Sequence, residues 1–206
     1  MNKRGIFITF EGTDGSGKST QIRMLESWLK DQGYKALLTR EPGGTPISEK
    51  IRSIILDKQN SEMSYMTETL LYAASRAQHV DQIIRPALNE GITVISDRFV
   101  DSSIVYQGYG RKLGQSVEEI NRYATGDCIP DVTFLLKLNP KTGIKRASGG
   151  DHDRIESEEL NYHETVYEAY LDIEKKYPER IVGIDASRSI KKVHGEIVDR
   201  IHELLK

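Results

Sequence analysis

Apolar runs rich in β-branched residues recur along the chain at Ile6 to Phe10, Ala36 to Thr39, Ile92 to Ser96, Val132 to Leu138 and Ile181 to Ile184. Each run is nearly continuous rather than alternating, which is the pattern of a strand covered on both faces. Between the runs the apolar positions change to helical spacing. Ile22, Leu25 and Leu29 mark a helix from about Ser19 to Gln32, and Gly33 is placed to close it in the left-handed conformation. Further helices are predicted at about Ser48 to Leu56, Thr67 to His79, Val117 to Tyr123, Ser157 to Lys176 and Ile190 to Leu205. Pro86 leaves open whether the helix ending near His79 continues to Leu88. Strands alternating with helices predict a five-stranded parallel sheet with helices on both faces, a three-layer α/β fold.

Composition narrows the possibilities without changing that picture. A chain of 206 residues suits one domain spanning 1–206. With 37% hydrophobic and 29% charged residues it folds as an ordinary globular protein. Lys and Arg number 29 against 31 for Asp and Glu, a net charge of -2, so no broad basic field exists for a nucleic acid polymer. Near the N-terminus only Ile6 to Phe10 is apolar, far short of a signal-peptide core or a membrane span. The single cysteine, Cys128, lacks a disulfide partner and CxxC spacing; a buried packing role and a reducing, cytoplasmic location are expected.

The first candidate for chemistry follows the first predicted strand directly. Gly12-Thr13-Asp14-Gly15-Ser16-Gly17-Lys18-Ser19 matches G-x-x-x-x-G-K-[ST] and opens a predicted helix at Ser19-Thr20. By average residue usage such a match arises by chance in on the order of one in a hundred chains of this length. Its glycines let the backbone curl until several N–H groups face one anion, and the helix dipole adds to their pull. Lys18 is expected to reach the β and γ phosphates of ATP, and the Ser19 hydroxyl to ligate Mg²⁺. The fold is then of the P-loop NTPase type, and the loop by itself establishes nucleotide binding but not the reaction.

Polar residues just beyond the strands decide the rest, because open parallel sheets bind ligands at their carboxyl ends. Arg40-Glu41 follows the second strand and Asp97-Arg98 the third, each pairing a guanidinium that can grip a phosphate with an acid that can hold Mg²⁺. The alternative for each pair is an ion pair capping a strand end. Asp14, inside the loop, should repel ATP unless it faces a second substrate; the alternative is a solvated loop tip. Tyr72 and Arg76 stand four apart on one helix face, able to stack on a base and bond its edge. From spacing alone they read first as ordinary packing with a solvated charge.

In these segments the chain resembles thymidylate kinase: Phe10 to Thr20, Thr39 to Thr45, Ala74-Ser75-Arg76, Asp97-Arg98-Phe99, Tyr106-Gln107-Gly108 and Asp153-Arg154-Ile155-Glu156 occur in family order. The resemblance implies transfer of the γ-phosphate of ATP to dTMP with Mg²⁺, by a homodimer. It implies that Arg98 and Arg40 hold the dTMP phosphate, that Asp97 and Glu41 organise Mg²⁺ and water, and that Asp14 lies toward the acceptor's sugar and phosphate. Tyr72 replaces the family's usual phenylalanine over thymine. Arg76 and Gln107 would read the thymine edge, Ser103 would add a polar contact, and Tyr106 would crowd the 2′ position and favour deoxyribose. In the family's usual bacterial form the phosphate loop lacks arginine and a lid supplies several. Here the lid, about 145–154, offers only Lys145, Arg146 and Arg154, with a glycine-rich stretch from Ala147 to Asp153 expected to be mobile. Arg154, in the matching Asp-Arg-Ile-Glu segment, is expected to be the transition-state arginine. A kinase for another monophosphate or a deoxynucleoside, and a nucleotide-dependent switch, are the competing readings.

Overall fold

Five parallel strands form one sheet in the order β2-β3-β1-β4-β5. They are β1 (Phe7–Glu11), β2 (Ala36–Arg40), β3 (Thr93–Asp97), β4 (Val132–Lys137) and β5 (Ile181–Asp185). The structure is a computed structural model that describes residues 4–147 and 153–205. Every residue of β1, and all but the last of β3 and of β4, is buried, as the continuous apolar runs require. β1 ends one residue later than its apolar run because Glu11, although charged, is only 1% exposed and its carboxylate is satisfied inside the protein.

One face of the sheet is covered by α1 (Lys18–Asp31) and α9 (Ile190–Leu205), whose Ile22, Leu25, Leu29, Val193, Ile197 and Ile201 pack on Ile8, Phe10, Phe134 and Leu136. The other face carries α3 (Tyr65–His79) with its continuation, and α8 (Leu160–Lys176), which meet Phe7, Val94 and Leu135. Three layers result. Burying one such side chain is worth about 1.5 to 3 kcal/mol, so these two seams account for most of what holds the helices to the sheet.

The helix ending at His79 does continue. It passes through a π-helical turn at Val80–Ile84 into α4 (Arg85–Asn89). That change of register puts Pro86 in the first turn of α4, where a missing N–H is tolerated. A similar π-helical segment, Ile104–Gly110, extends α5 (Val100–Ser103) and carries Tyr106 and Gln107. The remaining helices are α2 (Pro46–Leu56), α6 (Ser116–Thr125) and α7 (Pro140–Ala147). α7 was not predicted, because Ile144 is its only large apolar side chain and helical spacing had nothing else to register. Most of the lid loop expected at Ala147 to Asp153 lies outside the described residues. Cys128 is buried, as expected, at 4% exposure. Among the described residues no helix is long and apolar enough to cross a membrane.

Candidate active site

The sheet register gathers the site before any side chain is considered. Asp97 pairs with Arg40 on one side and with Phe10 on the other, so the ends of β2, β3 and β1 deliver Arg40, Asp97 and Glu11 to one edge. The chain leaves β1 into the phosphate loop. Gly17 takes φ 95 at the N-cap of α1, where no side chain caps the helix and no acid occupies the first turn. The first N–H groups of α1 are thus left to an anion, whereas α2 and α3 have theirs capped by Thr45 and Ser64. Lys18, 7% exposed, folds back to donate to the carbonyls of Gly12 (3.0 Å) and Thr13 (3.2 Å). Burial and the neighbouring Arg98 push its pKa down. Thr13 ties the loop to the end of β4 through the Leu138 carbonyl.

Arg98 stands across the cavity from Lys18, just beyond β3. Its backbone sits at φ 69, in the left-handed region that a side chain adopts only when its surroundings hold it there. The guanidinium donates to Asp14 Oδ1 at 2.7 Å, to the Gly12 carbonyl at 3.1 Å and to Ser102 Oγ at 3.2 Å, and lies 5.3 Å over the Tyr106 ring. Glu11 stands beneath it, accepting from the N–H of Phe99 and Ser102, from Ser102 Oγ and from the Tyr170 hydroxyl. Burial and the nearby Asp101 push the Glu11 carboxyl up. At Asp14 burial acts upward too, but Arg98 and Lys18 reverse it and hold the carboxyl below its usual value.

The far end of the site is built on α3. Arg76 is 2% exposed, not solvated, and every face of its guanidinium is engaged: Nε donates to Glu41 at 2.7 Å, Nη1 to Ser103 Oγ at 2.9 Å and to Asn121, and Nη2 to the Phe99 carbonyl at 3.0 Å. Glu41 bonds His79 with its other oxygen at 2.9 Å. Both of its oxygens therefore serve Arg76 and His79, and the acid expected to hold Mg²⁺ instead fixes an arginine. Tyr72, Ser103, Tyr106 and Gln107 line the same cavity, of about 440 Å³, as the phosphate loop and Arg98. Burial pushes the pKa values of Tyr72 and Tyr106 up, so both stay protonated. Arg40 sits at the mouth, held by the Pro42 carbonyl (2.8 Å) and Glu49 (2.9 Å).

The expected lid arginine is not brought to the phosphates. Arg154 donates to the Ile55 carbonyl at 2.9 Å and to Glu68 at 2.6 Å, and it is absent from the cavity lining, which includes Arg146 instead. The physical reason is the fully buried carboxylate of Glu68, which draws in Arg111 and Arg154 together. Arg52 lines the cavity as well and donates to the Pro42 carbonyl at 2.9 Å; neither it nor Glu68 was singled out from sequence. A signal existed for Glu68, which stands four residues before Tyr72 on the same helix face.

For a divalent cation the donor set is oxygen only: Ser19 Oγ lies 3.5 Å from Asp97 Oδ2 at the loop mouth. One hydroxyl and one carboxylate suit Mg²⁺, which keeps most of its waters and shares phosphate oxygens.

A family model for thymidylate kinase matches residues 10–197. The chain is 50% identical to the thymidylate kinase of Symbiobacterium thermophilum over 201 residues, covering 97% of this chain and 94% of that one. It is 48% identical to that of a Thermoanaerobacter species over 203 residues, covering 98% and 100%. Among solved structures, thymidylate kinase from Ehrlichia chaffeensis superposes with a TM-score of 0.78 at 32% identity, over 96% of this chain and 99% of that chain. By the family model and by relatives about half identical over nearly its whole length, the chain belongs to the thymidylate kinase family.

Proposed function

We propose that this site transfers the γ-phosphate of ATP to dTMP, giving dTDP and ADP, a step toward dTTP. One observation carries the reading: Arg98 is bonded both to Gly12 and to Asp14 of the phosphate loop, so an acceptor phosphate on Arg98 and a donor phosphate on the loop share one cavity. A nucleoside monophosphate carries roughly one and a half to two negative charges near neutral pH, so its oxygen attacks without a general base. Positioning and charge are then the catalysis.

In this reading Gly12 to Thr20 cradle the ATP phosphates, and Lys18 leaves the Gly12 and Thr13 carbonyls to meet the β and γ oxygens. Arg98 and Arg40 orient the dTMP phosphate, and Asp14 keeps Arg98 aimed. Ser19 and Asp97 would hold Mg²⁺, which would supply charge neutralisation at the transferring group. Tyr72 stacks on thymine, Gln107 meets its edge above the Arg76 and Ser103 floor, and the Tyr106 ring fills the space a 2′-hydroxyl would need. Arg146 takes the role of the closing arginine. Exposed Ile47, Ile54, Tyr65 and Leu70 on α2 and α3 support pairing of two copies. The unpaired, buried thiol of Cys128 supports work in the reducing cytoplasm.

The test is ADP formation in a coupled assay with dTMP, thymidine, dUMP, dCMP and AMP offered separately. Turnover is expected with dTMP and not with thymidine. Turnover with thymidine alone would make the protein a deoxynucleoside kinase, and slow ATP hydrolysis indifferent to any acceptor would make it a switch.

A further inference from the structure

Glu68 is 0% exposed and stands on the α3 face that carries Tyr72 and Arg76. A carboxylate at that depth needs donors on every side. Arg111 supplies two, from Nε to Oε1 and from Nη2 to Oε2, both at 3.3 Å. Arg154 supplies a third at 2.6 Å. The remaining donor is the side-chain amide of Gln107, whose Nε2 lies 2.8 Å from Glu68 Oε1.

That last contact has a direction. A carboxylate facing two guanidinium groups accepts hydrogen bonds and donates none, so only the NH₂ end of an amide can face it. The orientation of Gln107, which atomic positions alone leave ambiguous, is thereby fixed. Its Nε2 points at Glu68, which leaves Oε1 as the end of the amide available to the cavity that Gln107 lines.

We infer that Glu68 is a positioning residue for base selection: by holding the Gln107 amide in one orientation, it makes the base end of the cavity present a hydrogen-bond acceptor. An acceptor there favours a pyrimidine whose ring N3 bears a hydrogen, as in thymine and uracil. It opposes one whose N3 is itself an acceptor, as in cytosine. Two arginines pair with Glu68, and one of them, Arg154, reaches it from the segment after the lid, so the same contact anchors that segment to the base end. The inference rests on reading the cavity as a dTMP site.

The deciding probes are dTMP and 5-methyl-dCMP, which share ring shape, methyl group, sugar and phosphate, and differ only in the 4-substituent and the hydrogen on N3. Their binding is measured by titration calorimetry on the full-length wild type, Glu68→Gln and Glu68→Asp. The wild type is expected to prefer dTMP by about a hundredfold or more, since a site built to pair with one edge rejects the mismatched one strongly. In Glu68→Gln an amide faces an amide and Gln107 is free to turn over, so the preference should shrink to about tenfold or less, with tighter 5-methyl-dCMP contributing to the change. Glu68→Asp keeps an acceptor-only partner at shorter reach and should fall between the two.

A purely structural role for Glu68 would weaken both ligands in parallel, and an unchanged preference in a folded Glu68→Gln overturns the inference. Where only Glu68→Asp folds, a wild-type preference in that variant overturns it equally. Failure of the wild type to prefer dTMP would instead sink the thymidylate reading, so the two failures are distinguishable.

Discussion

Arg98, just beyond β3, and Asp14 of the phosphate loop are joined at 2.7 Å, so the two sides of the cavity hold each other in register. The pair also predicts a pH effect. The Asp14 carboxyl lies below its ordinary value of 3.8 in the folded protein, burial being outweighed by Arg98 and Lys18. A depressed carboxyl stabilises the fold above its unfolded pKa, and that contribution disappears as pH falls through the lowered value. With the Asp14 side chain 34% exposed, the gain is small, about 1 kcal/mol or less. Asp14→Asn should therefore unfold at lower urea than the wild type at neutral pH, with the difference shrinking as pH falls through the lowered Asp14 value. A difference that grows on acidification would contradict the assignment.

Arg76 answers to a different measurement. Its buried guanidinium satisfies Glu41, Ser103, Asn121 and the Phe99 carbonyl at once. Arg76→Met roughly keeps the volume but leaves the buried Glu41 carboxylate with His79 as its only side-chain partner among the described residues, a loss of about 3 to 5 kcal/mol. Urea unfolding of the variant should register that loss in full. A loss below about 1 kcal/mol would mean that Arg76 is solvated and loosely held.

Lys18 is expected to matter for turnover and little for folding. Its ammonium group is tethered to two loop carbonyls, and it is the cation that lies within the loop itself. Lys18→Ala should lower kcat by about a thousandfold, in the range seen when a preorganised charge is removed from a transferring phosphate. Steady-state rates in the ADP assay, with thermal unfolding as a control, separate this from loss of the loop.

How much of this was legible beforehand followed the range of the interactions. The strands and α1 could be read because burial on both sheet faces leaves a local, continuous signature, and the phosphate loop because one backbone geometry demands its glycines. Arg98, Asp97 and Arg40 stand out in the sequence by their place at strand ends, and the structure brings them to one cavity. The pairing of Glu68 with Arg154 is beyond such reading, because it joins residues 86 positions apart and neither local setting names the other as its partner. Glu41 was assigned to a metal because an acid beside an arginine at a strand end fits that chemistry equally well; only the arrival of Arg76 and His79 from α3 redirects it.

The lid arginine is the point on which sequence and structure differ most, and α7 explains why. Its Gly143 packs so closely on the phosphate loop that a Cβ there would collide with the Asp14 carbonyl oxygen, and one on Gly15 would collide with the Gly143 carbonyl. Three residues on, nearly one helical turn, Arg146 is carried to the cavity wall, while Arg154 is retained by Glu68. Arg146→Ala should cut kcat by about a hundredfold or more with little change in KM for dTMP, the mark of a contact made in the transition state. Arg154→Ala should instead raise KM for dTMP through Glu68 and the base end, with kcat close to wild type. Gly143→Ala, which adds one methyl group and no charge, should reproduce the Arg146 pattern by pushing α7 off the loop. Steady-state kinetics on the three variants decide the matter: a large kcat loss in Arg154→Ala alongside a wild-type kcat in Arg146→Ala would return the closing role to Arg154, and a wild-type Gly143→Ala would show that α7 does not aim the arginine.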